Sequence, residues 1–203
     1  KILLQAESLF PQSTLVMDRL SAVALRNENV EEAIGYLKKQ IQCDPDNLIP
    51  YLNLSSLAQL SGDIQTALDT SETIVKLAPE RWDGHYHLAS VYEIADKVEE
   101  AKSSYQKAIK LAPKKWRPLN NLAYILNGEG HTKAWKEAEL LLRKAIALAP
   151  KEEPTPQYNL VLSLFNLGQQ EEATSLCQHI IEASTPDHWV VDEAKLLLNA
   201  LTS

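Results

Sequence analysis

The sequence predicts an all-α fold, an α-solenoid of stacked antiparallel helix hairpins, on three observations. First, Pro11, Pro45, Pro79, Pro113, Pro150 and Pro186 recur at intervals of 34, 34, 34, 37 and 36 residues, and an internal period of this length marks a repeat architecture. A proline cannot continue a helix interior and turns the preceding residue away from α, so each of these closes a second helix. Second, in that register one column reads Ala33, Ala67, Ala101, Ala138 and Ala173, and another reads Leu20, Leu54, Leu88, Leu122 and Leu160. Third, 203 residues contain only 6 Gly and 2 Phe, with Ala, Leu, Glu and Lys plentiful, which favours helix over sheet.

Taken in order, residues 1–13 fit only the second helix of a truncated repeat, with Leu3 in the phase of Leu37, Ala6 in that of Gln40 and Pro11 as the closing proline. Repeat 1 spans 14–47, repeat 2 spans 48–81 and repeat 3 spans 82–115, with turns at 27–29, at 61–63 and at Asp96 with Lys97. Repeat 4, 116–153, carries three extra residues, placed in a longer turn over 127–133. Repeat 5, 154–186, turns at Gly168 and Gln169. These turns are rich in residues that cap helices or tolerate turn geometry. Within each half, apolar residues recur three, four or seven apart, as in Ala67, Ile74 and Leu77, the spacing of a buried helix face. A capping helix is expected over 187–203, with Thr185 as N-cap, Pro186 in the first turn and Trp189, Ala194, Leu197, Leu198 and Leu201 as its buried stripe. Such a helix covers the hydrophobic face that a last repeat otherwise leaves open. The half-repeat at the other end predicts either continuation of the array or end-to-end self-association.

A net charge of −7 argues against general affinity for DNA or anionic lipid, both of which need a cationic surface. The charge is uneven: residues 97–151 hold 12 Lys or Arg against 5 Asp or Glu, leaving 8 against 22 elsewhere. That segment is either an ordinary solvated surface or a contact for an acidic partner. Cys43 and Cys177 lie four repeats apart, too far for a disulfide, and are expected as buried or half-buried thiols. No apolar run has the length of a membrane span and no signal peptide is visible, so a soluble chain is expected, with cytoplasm and periplasm equally compatible. The first residue is Lys1 rather than Met, which suggests an excerpt or a processed product.

The pattern resembles the tetratricopeptide repeat, whose signature reads Trp-x2-Leu-Gly-x2-Tyr, then Ala-x3-Phe, then Pro. Repeat 3 is nearest, with His85-x2-Leu88-Ala89-x2-Tyr92, Ala101-x3-Tyr105 and Pro113, and repeat 1 reads Met17-x2-Leu20-Ser21-x2-Ala24, Ala33-x3-Leu37 and Pro45. The resemblance implies a right-handed superhelix whose first helices line a concave groove that binds a protein or an extended peptide. Carried over, the sixth position of each repeat gives Asn53, His87, Asn121 and Asn159, a ladder able to bond peptide backbone, with Arg19 as the exception in repeat 1. Neighbouring groove positions give Tyr86, Arg117, Asn120, Tyr124, Tyr158, Leu162 and Phe165, aromatic and apolar anchors that place the preferred site in repeats 3 to 5. A subgroup of the family clamps acidic C-termini with a lysine at the fifth position. Here that column reads Asp18, Leu52, Tyr86, Asn120 and Tyr158, so this clamp is not expected.

The residues point to no catalytic group, metal or cofactor. His85 and His87 are two apart and diverge on a helix, while His131, His179 and His188 stand outside any zinc-ligand spacing. There is no Gly-rich phosphate loop and no nucleophile motif. The predicted function is a protein-interaction scaffold. Alternatives are a targeting or regulatory arm of a larger enzyme or of a bacterial envelope or polysaccharide assembly system, the latter from a phrase at Asn120-Asn121-Leu122-Ala123-Tyr124, and an RNA-binding helical repeat.

Overall fold

The computed structural model describes residues 2–202, and every regular element among them is an α-helix. Lys1, and with it the first residue of the expected half-repeat, lies outside the described residues. The chain divides into two compact units, one up to Ser104 and one from Tyr105 onward. The first unit contains α1 (Ile2–Leu9), α2 (Thr14–Arg26), α3 (Val30–Cys43), α4 (Leu48–Ser61), α5 (Ile64–Leu77), α6 (Trp82–Ile94) and the first half of α7 (Val98–Leu111). The second contains the rest of α7, then α8 (Trp116–Gly128), α9 (Thr132–Leu148), α10 (Thr155–Asn166), α11 (Gln170–Ala183) and α12 (Trp189–Thr202).

In the first unit α2 packs on α3 and α4 on α5, and α6 contacts both α5 and α4. In the second, α8 packs on α9 and α10 on α11, α10 touches α8, and α12 lies against α11 and α10. Each unit is thus a stack of hairpins in which first helices also meet first helices. This is an all-α helical-repeat fold.

Local chemistry sets the boundaries. Ser13, Asn29, Asn47 and Asp63 each accept a backbone N–H from the first turn of the helix they precede. Asn29 accepts from the Glu32 amide at 3.2 Å, and its own amide donates to the Glu32 carboxylate at 2.9 Å, a reciprocal cap. Each hairpin turn needs a left-handed residue: Glu28, Gly62 and Asp96, spaced 34 apart, have φ of 60°, 77° and 57°. Glycine adopts this region without steric cost, and Glu and Asp do not.

The five-alanine column is fully buried, with 0% exposure throughout, and the leucine column is buried in every repeat. Methyl side chains there let the two helices of a hairpin cross closely. In the first turn of a first helix, at the third position of the repeat, stand Pro50, Gly84, Pro118 and Pro156, all buried. A proline in the first turn gives up only an N–H that has no intrahelical acceptor. Gly84 has its own reason, since a Cβ on it would stand 2.8 Å from Ile74 Cγ2.

Three expectations need correction. The extra residues of repeat 4 do not lengthen its turn, which spans only 129–131; they extend α9 to 17 residues where α3, α5, α7 and α11 have 14. Three residues are nearly one helical turn, and Trp135 in that added turn donates its indole N–H to the Asn127 carbonyl at 3.2 Å. The last helix starts at Trp189 rather than 187, after a turn closed by the His188 amide on the Thr185 carbonyl, so Thr185 is not its cap. Its buried residues are Val190, Val191, Ala194 and Leu201, while Trp189 is 56% exposed. Cys43 is exposed; Cys177 is buried, and burial raises the pKa of its thiol.

Candidate functional site

Of the expected groove residues, Asn53, Tyr86 and His87 belong to the first unit. Asn53 on α4 is exposed. Tyr86 on α6 is half-buried, its ring 6.1 Å from that of Trp82 and 5.9 Å from that of His87. Burial holds the His87 imidazole below its ordinary pKa, with the Asp83 carboxylate opposing that shift. His85 has another task. It is buried, and its Nε2 lies 2.8 Å from the Pro79 carbonyl, tying α6 to the loop before it.

The other eight residues lie in the second unit, on α8 and α10. The carboxamides do not form an open ladder. Asn120 and Asn159, expected at the surface, are each 5% exposed. Asn159 donates to Asn120 Oδ1 at 2.9 Å, Asn120 to Asn121 Oδ1 at 3.2 Å, and Asn121 to the Tyr105 hydroxyl at 3.1 Å. Asn127 extends the network, donating to the Asn159 carbonyl at 3.1 Å and accepting from Ser163 at 2.8 Å. Buried amides need such partners, and here they find them in each other across α8 and α10. Arg117 is also engaged, its guanidinium 4.9 Å from the centroid of the Trp116 ring.

What stays open is aromatic. Tyr124 is 54% and Phe165 48% exposed, with Leu162 half-buried. Tyr158 meets Trp189 of α12 edge-to-face, centroids 5.7 Å apart and planes at 75°, and donates to Glu193 Oε2 at 3.4 Å. Burial raises the Tyr158 pKa, reinforced by the Glu193 carboxylate and, more weakly, by the nearby Tyr124 phenol. Tyr124, Tyr158, Trp189 and Glu193 thus share one surface of α8, α10 and α12. The sequence pattern placed Trp189 in the buried stripe of the last helix and did not single out Glu193 as a surface residue of this site. The available signal was phase: Trp189 follows its proline by three residues, as Trp82 follows Pro79 and Trp116 follows Pro113.

No group of three His, Cys, Asp or Glu side chains among the described residues is arranged to hold a metal ion. None of the described helices is long and apolar enough to cross a membrane.

The stacked hairpins define an all-α helical-repeat protein, with an open aromatic surface on its second unit. The comparisons sharpen this. A family model for the tetratricopeptide repeat matches residues 82–115. Among solved structures, the chain is similar to yeast Tom70 (TM-score 0.77, 20% identity, 98% of this chain and 42% of that one). It is similar to MamA from Desulfovibrio magneticus (TM-score 0.72, 20% identity, 84% of this chain and 94% of that one). It also matches YrrB, described as a tetratricopeptide protein with an unusual peptide-binding site (TM-score 0.68, 17% identity, 96% and 98%). The chain therefore spans less than half the length of the Tom70 chain it matches. No curated protein sequence matches significantly. The tetratricopeptide-repeat match is thus confined to residues 82–115, and the solved structures share with the whole chain its all-α helical-repeat fold.

Proposed function

We propose that the chain is an interaction scaffold that holds an extended segment of a partner protein, and that the segment lies on the α8–α10–α12 surface of the second unit. The observation that carries this reading is the row of rings on α8, α10 and α12, with Tyr124, Phe165 and Trp189 exposed and Tyr158 half-buried among them. Tyr and Trp are the residues most enriched where a surface binds protein, because a large ring buries apolar area while its polar tip stays satisfied. The carboxamides contribute less than a backbone ladder would, since Asn120, Asn121 and Asn159 are bonded to one another or to Tyr105. We divide the array into five full repeats, a preceding second helix and a closing helix, with the repeat bounds set by the prolines.

The test is affinity capture from the native extract, peptide mapping of what is retained, and measurement of that peptide's Kd against variants. Tyr124→Ala with Tyr158→Ala weakens binding at least about tenfold, or 1.4 kcal/mol, with helix content unchanged. Unchanged affinity in the double variant rejects this surface as the site.

A further inference from the structure

We propose that the anchor on this surface takes a cationic side chain, a lysine or arginine of the bound segment, held by the rings of Tyr158 and Trp189 and the carboxylate of Glu193. This rests on reading the α8–α10–α12 surface as the peptide-binding face, and adds what it selects.

Three observations converge. The two rings stand 5.7 Å apart at 75°, forming a corner of aromatic surface, and Trp189 remains 56% exposed although His188 stacks against it at 6.1 Å. Ring faces attract cations through their quadrupole, tryptophan most strongly. Glu193 follows Trp189 by one helical turn and reaches this corner, where it accepts from the Tyr158 hydroxyl at a long 3.4 Å. An ionised carboxylate accepts several hydrogen bonds, so most of its capacity is unused. No lysine or arginine among the described residues forms an ion pair with it, and nearby Lys195 pairs with Asp192 at 3.1 Å. Residues 152–203 hold one Lys and no Arg against eight Asp or Glu, so the surrounding field also favours a cation.

The chain contains its own precedent. Trp116 stands in the same phase as Trp189, three residues after its proline, and the next residue, Arg117, places a guanidinium 4.9 Å from the ring centroid. After Trp189 comes Val190, which is buried, so this tryptophan has no cation from its own helix at that position. A ligand side chain would supply what Arg117 supplies at Trp116.

The experiment titrates the whole chain with Gly/Ser heptapeptides that differ only in a central Arg, Lys, Gln, Leu or Glu, following the Trp189 indole and the Tyr158 and Glu193 amides by NMR. The Arg and Lys peptides shift these signals with affinity roughly 5- to 10-fold above the Gln peptide. Glu193→Gln, an exposed substitution, brings the Arg and Gln peptides within about twofold of each other. If the Leu peptide binds there as well as the Arg peptide, or if Glu193→Gln leaves the preference intact, the cation assignment is overturned while the surface stands as a peptide site. If no peptide moves these signals at millimolar concentration, the anchor is equally rejected, and the Kd of the captured segment against the Tyr124 and Tyr158 variants decides separately whether the surface binds at all.

Discussion

The two units close their first-helix layers with different chemistry. In the first, the closure is made of hydroxyls: Ser55 and Ser71 meet at 2.7 Å between α4 and α5, the Gln59 amide donates to Ser55 at 3.3 Å, and Ser90 of α6 donates to Gln59 at 3.0 Å. In the second it is made of carboxamides, from Asn159 through Asn120 and Asn121 to the Tyr105 hydroxyl. The consequence is visible at one repeat position. Asn53 is exposed, whereas Asn159, at the same phase, is buried. A repeat position does not determine whether its side chain is surface or core; the acceptor offered by the neighbouring helix does.

The largest effect that tests this difference lies in the column shared by Ser71 and Tyr105. Tyr105 is fully buried and also receives the Asn121 amide. Tyr105→Ala costs about 3–5 kcal/mol in urea unfolding, through a cavity and an orphaned amide. Ser71→Ala costs about 1 kcal/mol, because Ser55 keeps Gln59 as a partner. Next come the two asparagines: Asn159→Ala costs about 1–3 kcal/mol, and Asn53→Ala changes stability by less than about 0.5 kcal/mol. Equal costs at these two sites would dissolve the contrast between the units.

Smaller effects refine it. Gln40 is 5% exposed, in the column where later repeats carry Ile74, Ala108, Ala145 and Ile180, and its Nε2 has no hydrogen-bond partner among the described residues. Gln40→Leu therefore raises stability by about 1–2 kcal/mol, seen as a higher urea midpoint. Glu28→Gly relieves a left-handed backbone and raises stability by about 0.5–1 kcal/mol, while Gly62→Ala, at the same turn position, lowers it. The smallest effect is a pH dependence. Burial holds the folded His87 pKa below its ordinary 6.5, so the unfolded chain binds more protons there. The His87 contribution is intact above pH 6.5 and declines as pH falls below it towards the folded pKa. Urea midpoints of the wild type therefore fall more between pH 7.5 and 5 than those of His87→Gln.

Much of this was legible in the sequence because packing imposes it at fixed phase. The prolines ended the second helices, and the alanine and leucine columns marked the two faces that cross. The three added residues of repeat 4 were legible as an insertion but not as helix, since a segment of nearly one turn fits a loop or a longer α9 equally well until Trp135 is seen bonded to the Asn127 carbonyl. The fate of Asn120 and Asn159 was hidden for a different reason: it depends on a partner 39 residues away on another helix. Tyr124, Tyr158, Leu162 and Phe165 were named through the groove positions that the family resemblance implies, and they lie on α8 and α10. Trp189 was misread as core because hydrophobicity was weighed above its distance from Pro186, whereas Val190 and Val191 take the buried positions.

The most direct test of the proposed surface is the amide and side-chain NMR spectrum of the chain titrated with its captured partner segment. The expected result is that signals of Tyr124, Tyr158, Phe165 and Trp189 shift, while the Asn120 and Asn159 carboxamides, bonded to each other at 2.9 Å, stay in place. Shifts confined to α9 and α11, with the aromatic row unmoved, would contradict it.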